Sequence, residues 1–352
     1  MLRRTTLGVA AVVATGSLAA LLTDRLWPSP PAKSARVIDE AQYVKIGGIE
    51  QFIRITGESR ANPVLLFVHG GPGLSMLGFL PSFQPWEKYF TIVQWDQRGA
   101  GRTYGRNGAD RSAPMTIDRM TQDGVELAQF LTRHLHGKIV VVGHSWGSIL
   151  GVRMVHQRPD LFAAYVGTGQ FVDRTLGERI LYEDLLSRAR AARDGQTIAE
   201  LQHLSDASAR DRQAFVAKTW ASVYAPPAER RLKANMSRMR MEAPGASWSD
   251  IGASRAGRRF SIDHLAPQIA ACDIRQGGLD FAVPFFVIQG DEDSQTPAIL
   301  ARRYFDAVHA PTKRYIPLKG GGHFAVITMS AAFLNALVAY VRPLAIREPR
   351  RA

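Results

Sequence analysis

Cysteine is nearly absent. A single thiol, Cys272, stands among 352 residues, so no internal disulfide can form. Nothing around Cys272 resembles the surroundings of a cysteine nucleophile, so a small inert side chain is expected there. Acidic residues are also in short supply: 31 stand against 44 lysines and arginines, a net charge of +13. An excess of that size can mark a protein that binds nucleic acid or an anionic membrane surface. Here the basic residues are scattered, the densest runs being Arg230-Arg231-Leu232-Lys233 and the tail from Arg347 to Arg351. With no basic helix, zinc-finger spacing or aromatic RNA-binding motif, no nucleic-acid partner is expected. The apolar fraction of 46% and charged fraction of 21% are ordinary for a globular protein. The length exceeds what one compact core usually holds, which predicts a main domain with an inserted or appended piece.

The N-terminus has the layout of an export signal. Arg3 and Arg4 precede an apolar run from Leu7 to Leu22, which ends at Thr23-Asp24-Arg25 and is followed by Trp27-Pro28-Ser29-Pro30-Pro31. Ser17-Leu18-Ala19 is a small-x-small cleavage candidate, and Arg3-Arg4-Thr5-Thr6-Leu7 is a loose twin-arginine pattern. The run falls slightly short of the roughly 20 residues of a full membrane span. Left uncut, it would still be the alternative, an anchor holding the protein at the membrane. No cysteine lies in or just after the run, which excludes lipoprotein attachment. Export to the periplasm or cell envelope is the expectation.

The chain is organised around Val140-Val141-Val142-Gly143-His144-Ser145-Trp146-Gly147-Ser148. A β-branched run ends in a glycine-flanked serine, and helix-compatible residues follow. Strand, sharp turn and helix with a serine at the apex is the arrangement that presents a nucleophile. Upstream, Gln42 to Ile55 alternates around Gly47-Gly48 as a hairpin, and Val64 to Val68 is a buried strand running into His69-Gly70-Gly71-Pro72-Gly73. Such a loop can aim backbone N–H groups at an oxyanion, and Gly71 and Trp146 are the candidate donors. His69 is expected to be a hydrogen-bonding loop residue. Thr91 to Trp95 is the next strand. Asp96 and Arg98 in the turn after it are expected to pair with each other or to bond to backbone. Met115 to Leu135 carries apolar residues at helical spacing, and Ala163 to Thr168 is a further strand.

From about residue 170 to 278 the strand-like runs vanish. Helix-favouring mixtures occupy Arg174 to Ala192, Thr197 to Leu204, Ser208 to Val223 and Glu229 to Met241, which predicts an inserted helical cap. Sheet character returns at Val283 to Gln289, which ends in Gly290-Asp291-Glu292-Asp293. Lys313 to Pro317 is the last strand, and Gly320-Gly321-Gly322-His323-Phe324 follows it. The resulting division is a leader and linker (1–36), a first core segment (37–169), the cap (170–279) and a second core segment (280–352). Strands alternating with helices predict an α/β fold with a doubly wound, mostly parallel sheet and functional residues at strand ends. Ser145, then an acid after a late strand, then His323 after the last strand supplies nucleophile, orienting acid and base in that order. Asp293 is the preferred acid, since Asp291 and Glu292 would still be turning off the strand. Asp291 is the alternative.

Taken together, His69-Gly70-Gly71-Pro72-Gly73, Trp95-Asp96-Gln97-Arg98-Gly99-Ala100-Gly101 and Gly143-His144-Ser145-Trp146-Gly147-Ser148 resemble the proline iminopeptidase-like branch of the α/β-hydrolase fold. Gly290-Asp291-Glu292-Asp293 with Thr296-Pro297, and Gly322-His323-Phe324, are similar to that family's acid and histidine loops. The resemblance covers residue 40 to the end. It implies Asp293 as the acid, a helical cap over the site, a small-molecule or short-peptide substrate, and no metal or organic cofactor. In one respect the chain departs from the pattern. The family holds a substrate amino group with cap glutamates, one in a Trp-Glu pairing, whereas here Trp220 precedes Ala221. Glu178 and Glu183, with Tyr182 between them, are the remaining amine-anchor candidates. An aminopeptidase working through an acyl-enzyme is therefore the first expectation and a carboxylesterase the second. A non-catalytic ligand-binding member of the fold is the third.

Overall fold

Strands that are apolar on both faces belong in the middle of a sheet covered on both sides. In the computed structural model, which describes residues 37–204, 209–243 and 246–346, four such strands lie inside an eight-stranded sheet. The leader with its cleavage and twin-arginine patterns, and the Arg347 to Arg351 tail, fall outside the described residues. Among the described residues no helix is long and apolar enough to cross a membrane.

The strands are β1 (Ile38–Ile46), β2 (Ile49–Gly57), β3 (Val64–Val68), β4 (Thr91–Trp95), β5 (Ile139–His144), β6 (Phe162–Thr168), β7 (Phe285–Gly290) and β8 (Lys313–Leu318). Their order across the sheet is β1-β2-β4-β3-β5-β6-β7-β8. β1 and β2 form the hairpin around Gly47-Gly48 and run antiparallel, as do β2 and β4, and every other pair is parallel. Every residue of β3, β4, β5 and β7 is buried, while the edge strand β1 alternates between exposed and part-buried residues and is buried only at its ends.

Helices cover both faces: α1 (Gly101–Ser112), α2 (Ile117–Leu135), α3 (Trp146–Gln157), the cap helices below, and later α9 (Ala298–Ala307) and α10 (Ser330–Ala336). One face buries Trp95, Met120, Leu127, Ile149 and Phe285, and the other buries Phe67, Phe83, Trp86, Phe286 and Phe333. Each such side chain contributes about 1.5–3 kcal/mol on burial, so the two faces hold the sheet rigid beneath the loops at its strand ends.

Among the described residues, the stretch between β6 and β7 is mainly helical: α4 (Arg174–Ala191), α5 (Gly195–His203), α6 (Ala209–Thr219), α7 (Pro227–Met241) and α8 (Trp248–Ala270). Asp173 caps the first, accepting from the Leu176 N–H at 2.8 Å. Leu181, Leu185, Leu201, Val216 and Trp220 give this region a small core of its own. The 23-residue α8 is not foreshadowed by any of the helix-favouring runs in the sequence. It carries several serines, glycines and arginines with no continuous apolar stripe, because it packs by close backbone approach instead of by bulky side chains. At Gly257 a Cβ would lie 2.7 Å from the Gly99 carbonyl oxygen. The Ser261 hydroxyl also donates to the Gly99 carbonyl, at 2.8 Å.

Asp96 and Arg98 do not pair with each other. Arg98 Nε donates to Asp123 Oδ2 at 2.7 Å, and the two side chains are 1% and 0% exposed. Asp96 accepts from the Arg102 backbone N–H at 2.8 Å, the backbone bond that was the other expectation for it. Burial raises the Asp96 pKa, and the hydrogen bonds only partly oppose that. Two residues apart in a turn, the two side chains point to different elements, and the partner of Arg98 lies on α2.

Candidate active site

β5 ends at His144, and α3 begins at Trp146, so Ser145 occupies the single residue between strand and helix. It takes φ 55° and ψ −121°, a conformation that side chains other than glycine's rarely adopt. The turn is held by Ser145 N–H to the Thr168 carbonyl at 3.0 Å and by Ser148 N–H back to the Ser145 carbonyl at 2.9 Å. There is no room for a larger residue at its base. A Cβ at Gly147 would sit 2.0 Å from the Val68 carbonyl oxygen, and one at Gly143 would sit 2.8 Å from Ser148 Cα. Strain at the serine is thus imposed by tight contact between the turn and β3.

The loop after β3 lies beside this turn. A Cβ at Gly70 would be 3.0 Å from Ser145 Cβ. Gly71 has φ 129° and follows directly. Gln97 ties the pieces together: its N–H meets His69 Nε2 at 3.2 Å and its amide donates to the His69 carbonyl at 2.9 Å. Its carbonyl accepts from Trp146 Nε1 at 3.0 Å. His69 Nδ1 lies 2.8 Å from the Gly70 carbonyl, which assigns the proton to Nδ1 and leaves Nε2 as acceptor. Burial lowers the His69 pKa to about 4. His69 is a neutral structural hub, and Gln97 fixes the loop against the serine turn. Trp146 is the first residue of α3, and an N–H in the first turn has no acceptor within its own helix.

At the far side, Asp293 lies on the turn after β7 with its side chain fully buried. His323 Nδ1 is 3.0 Å from Asp293 Oδ2 and 3.2 Å from Oδ1. Four further donors hold the carboxylate. They are the Gln295 N–H (3.0 Å), the Thr296 N–H (3.0 Å), the Thr296 hydroxyl (2.9 Å) and the Gln289 amide (3.0 Å). Held from several directions, the carboxylate keeps a fixed orientation toward the ring. Asp291 is exposed and accepts from the Gly320 N–H at 2.7 Å, so it anchors the turn after β8 and does not face the histidine. His144 Nε2 reaches the His323 carbonyl at 3.0 Å and so joins the serine turn to the histidine loop. Burial first, and then the His323 charge, lower the His144 pKa to about 3.

The cap candidates are placed differently. Glu178 pairs with Arg174 and lines a small cavity of about 80 Å3 that also touches Asp173, Gln295 and Thr296. Glu183 is 67% exposed with Arg179 at 4.0 Å. Tyr182 is partly buried against the cap's own core. Among the described residues, none of the three bonds to the Asp293 and His323 loops.

Two other cap carboxylates do. Glu229 on α7 is fully buried, accepting from Gln295 Nε2 at 3.1 Å and from the Phe324 N–H at 3.2 Å. Lys233 Nζ lies 2.7 Å from it. Asp184 on α4 accepts from the Ser294 hydroxyl at 2.7 Å and from Trp220 Nε1 at 3.1 Å. Both residues grip the loop that carries Asp293, and Glu229 also grips the one that carries His323. Nothing local in the sequence marks them for this role, since the loop partners of Glu229 lie 66 and 95 positions away.

The geometry agrees with the chain's resemblances. The alpha/beta hydrolase fold family matches residues 63–329. Probable aminopeptidase YbaC of Bacillus subtilis is 29% identical over 337 residues, spanning 89% of this chain and 98% of that protein. A probable proline iminopeptidase of Streptomyces coelicolor is 31% identical over 49% of this chain and 57% of its own length. Among solved structures, the proline iminopeptidase-related protein of Thermus thermophilus superposes with a TM-score of 0.60 at 19% identity, covering 88% of this chain and 99% of that one. The proline iminopeptidase of Mycobacterium smegmatis superposes with a TM-score of 0.55 at 17% identity, covering 87% and 99%. At these identities the two superpositions speak for the fold. With most of its length matched to the family, the chain belongs to the alpha/beta hydrolase fold family.

Proposed function

We propose that this hydrolase cleaves its substrate through an acyl-enzyme on Ser145, with His323 as base, Asp293 as the acid that orients it, and the N–H groups of Gly71 and Trp146 as oxyanion donors. The observation that carries the reading is the contact of His323 Nδ1 with a fully buried, multiply bonded Asp293 carboxylate at 3.0 Å. It leaves the other ring nitrogen, Nε2, to act as the base. Ser145 Oγ attacks the substrate carbonyl carbon and its proton passes to His323 Nε2. The carbonyl oxygen becomes an oxyanion and accepts the two N–H groups. As the tetrahedral intermediate collapses, the bond to the leaving group breaks and His323 returns the proton to that group. Water then repeats the attack on the acyl-enzyme with the same base.

The names of the relatives support an aminopeptidase that releases N-terminal residues. A second reading, a carboxylesterase on the same machinery, is favoured by the arginine partners already held by Glu178 and Glu183. Turnover of a proline arylamide against a p-nitrophenyl ester decides between them, and arylamide cleavage at background removes the peptidase reading. Ser145→Ala should lower kcat by about three decades or more on either substrate and abolish labelling by a fluorophosphonate. Labelling that survives the substitution would mean that another residue is the nucleophile. On the pattern of residues 1–31 we also propose export, with an uncut anchor as the alternative. The N-terminal residue of protein recovered from the cell envelope tests cleavage, and Met1 there rules it out.

A further inference from the structure

A cavity of about 390 Å3 lies between the loop after β3 and the cap, lined by Leu74, Arg240, Arg255, Arg258, Arg259 and Asp263 among others. It adjoins the candidate oxyanion loop directly. A Cβ at Gly73 would lie 2.8 Å from Arg258 Cα, and one at Gly78 would lie 3.2 Å from Arg240 Cγ. Arg255, Arg258 and Arg259 sit at i, i+3 and i+4 on α8, which puts them on one face, and Arg240 enters from α7. Among the described residues, none of the four arginines has a carboxylate within ion-pairing distance, although Asp263 shares the wall. Arg240 is half-buried, and its Nε is enclosed with no hydrogen-bond partner. Burial first, and then the charges of Arg258 and Arg255, lower the Arg240 pKa.

An enclosed donor without an acceptor is costly, and like charges gathered in one crevice repel. An anion seated in the cavity relieves the repulsion, and the guanidinium fork matches the oxygens of carboxylate and phosphate. We propose that this cavity is an anion subsite that takes a carboxylate or phosphate carried by the substrate. The proposal deepens the serine-hydrolase reading above and rests on it. It points away from a substrate whose chief recognition group near this loop is an ammonium, and toward anionic acyl or leaving groups.

The test uses two pairs of p-nitrophenyl esters. In one pair the acyl chain ends in a carboxylate or in its neutral carboxamide, and in the other the same two groups sit on the phenol ring. At low salt, at least one carboxylated ester should show a KM about ten-fold below that of its neutral twin. The ratio should fall to about one in Arg255→Ala/Arg258→Ala, and likewise in Arg255→Gln/Arg258→Gln, both of which alter exposed helix positions that tolerate substitution. Equal KM values within both pairs overturn the proposal, as does an advantage that survives loss of the arginines. Calorimetric titration with inorganic phosphate separates the sources of the anion. Arginine-dependent phosphate binding with no advantage for either carboxylated ester makes the cavity a site for a free anion and overturns the substrate assignment. Fluorophosphonate labelling keeps the two readings apart. An unlabelled native protein sinks the nucleophile, whereas a labelled protein with no anion preference sinks the subsite alone.

Discussion

Asp293 and Glu183 are both acids that the sequence offers for the candidate site, and they live under opposite conditions. The first is on a strand-end turn with its side chain fully buried and donors on both oxygens. The second is on a cap helix, 67% exposed, with one arginine at 4.0 Å. The contrast extends to their surroundings. Below the cap, His69, Gln97, His144, Gln289 and His323 are buried and bonded to partners that are distant in sequence. In the cap, several charged groups pair at i, i+4 along their own helix, as Arg174 does with Glu178 and Arg179 with Glu183. A network that spans loops fixes geometry, because each member is restrained from several directions. A solvated helical pair restrains little and is worth a few tenths of a kcal/mol. Substitutions should therefore grow milder on passing from the loops to the cap. Glu229 should break that rule, since it is part of the cap by chain and part of the loops by bonding.

The largest effect is expected at Asp293. Asparagine there keeps the volume but can no longer accept on both sides, and its amide would turn a donor toward the Gln289 amide and Thr296 or toward the histidine. The ring then loses the partner that sets its tautomer. kcat/KM should fall by about three to four decades, with the folded circular dichroism spectrum retained. Asp291→Asn should stay within about a few-fold of the native rate, because that residue only anchors the Gly320 N–H. A reversed outcome in ester hydrolysis would transfer the acid's role to Asp291.

A second large effect is set by two histidines. His69 and His144 are neutral in the fold, with pKa values lowered to about 4 and about 3 by burial. In the unfolded chain both would titrate near 6.5. Between those values the unfolded state binds more protons, so stability is full above about pH 6.5 and is lost as pH falls toward 4. By pH 5 each should have cost about 2 kcal/mol relative to neutral pH. The urea midpoint at pH 7 and pH 5 measures this, and an unchanged midpoint would mean that the two rings are not held neutral. Leu131 or Val141 gives no such pH dependence, so the loss reports on the loop network.

The same division explains what could be read from sequence. β3, β4, β5 and β7 are legible because a strand buried on both faces must be apolar throughout, and glycine-rich turns at their ends leave a plain signature. Ser145 and Asp293 stand out because each follows such a strand, and His323 because Gly320-Gly321-Gly322 after the last strand lead into it. α8 is hidden because it packs through Gly257 and Ser261, residues that carry no apolar periodicity. The partner of Arg98 is hidden because Asp123 lies 25 positions away on α2. Glu178 and Glu183 are acidic and well placed in the chain, but exposure is decided by helix rotation, which a sequence without a clear apolar stripe does not fix.

Glu229 tests whether bonding or chain position governs. Glu229→Gln retains one acceptor, yet it presents a donor either to the Phe324 N–H or to Lys233 and Gln295. The half-buried lysine then has no counter-ion, so Glu229→Gln/Lys233→Met is the cleaner variant, with both charges removed together. In both variants kcat should drop about ten-fold while KM changes by less than about two-fold, since the carboxylate steadies the base and acid loops without being placed on the substrate. A native kcat in the double variant would reduce Glu229 to a partner for Lys233.

Glu183 should give the smallest effect. Its nearest cation is at the edge of ion-pairing range, both side chains are mostly exposed, and alanine is the better helix former at an interior position of α4. The lost pair and the gained propensity nearly offset, so Glu183→Ala should shift stability by less than about 0.5 kcal/mol. Its kcat/KM ratio for free-amine over N-acetylated proline arylamide should equal that of the native enzyme. Glu178→Ala is the sharper comparison, because that residue lines the cavity shared with Gln295 and Thr296. If the ratio falls only in Glu178→Ala, an amine contact survives despite Arg174. If it falls in Glu183→Ala as well, helix α4 must turn its exposed face toward the substrate when one binds, and the cap would then be more responsive than its solvated charges suggest.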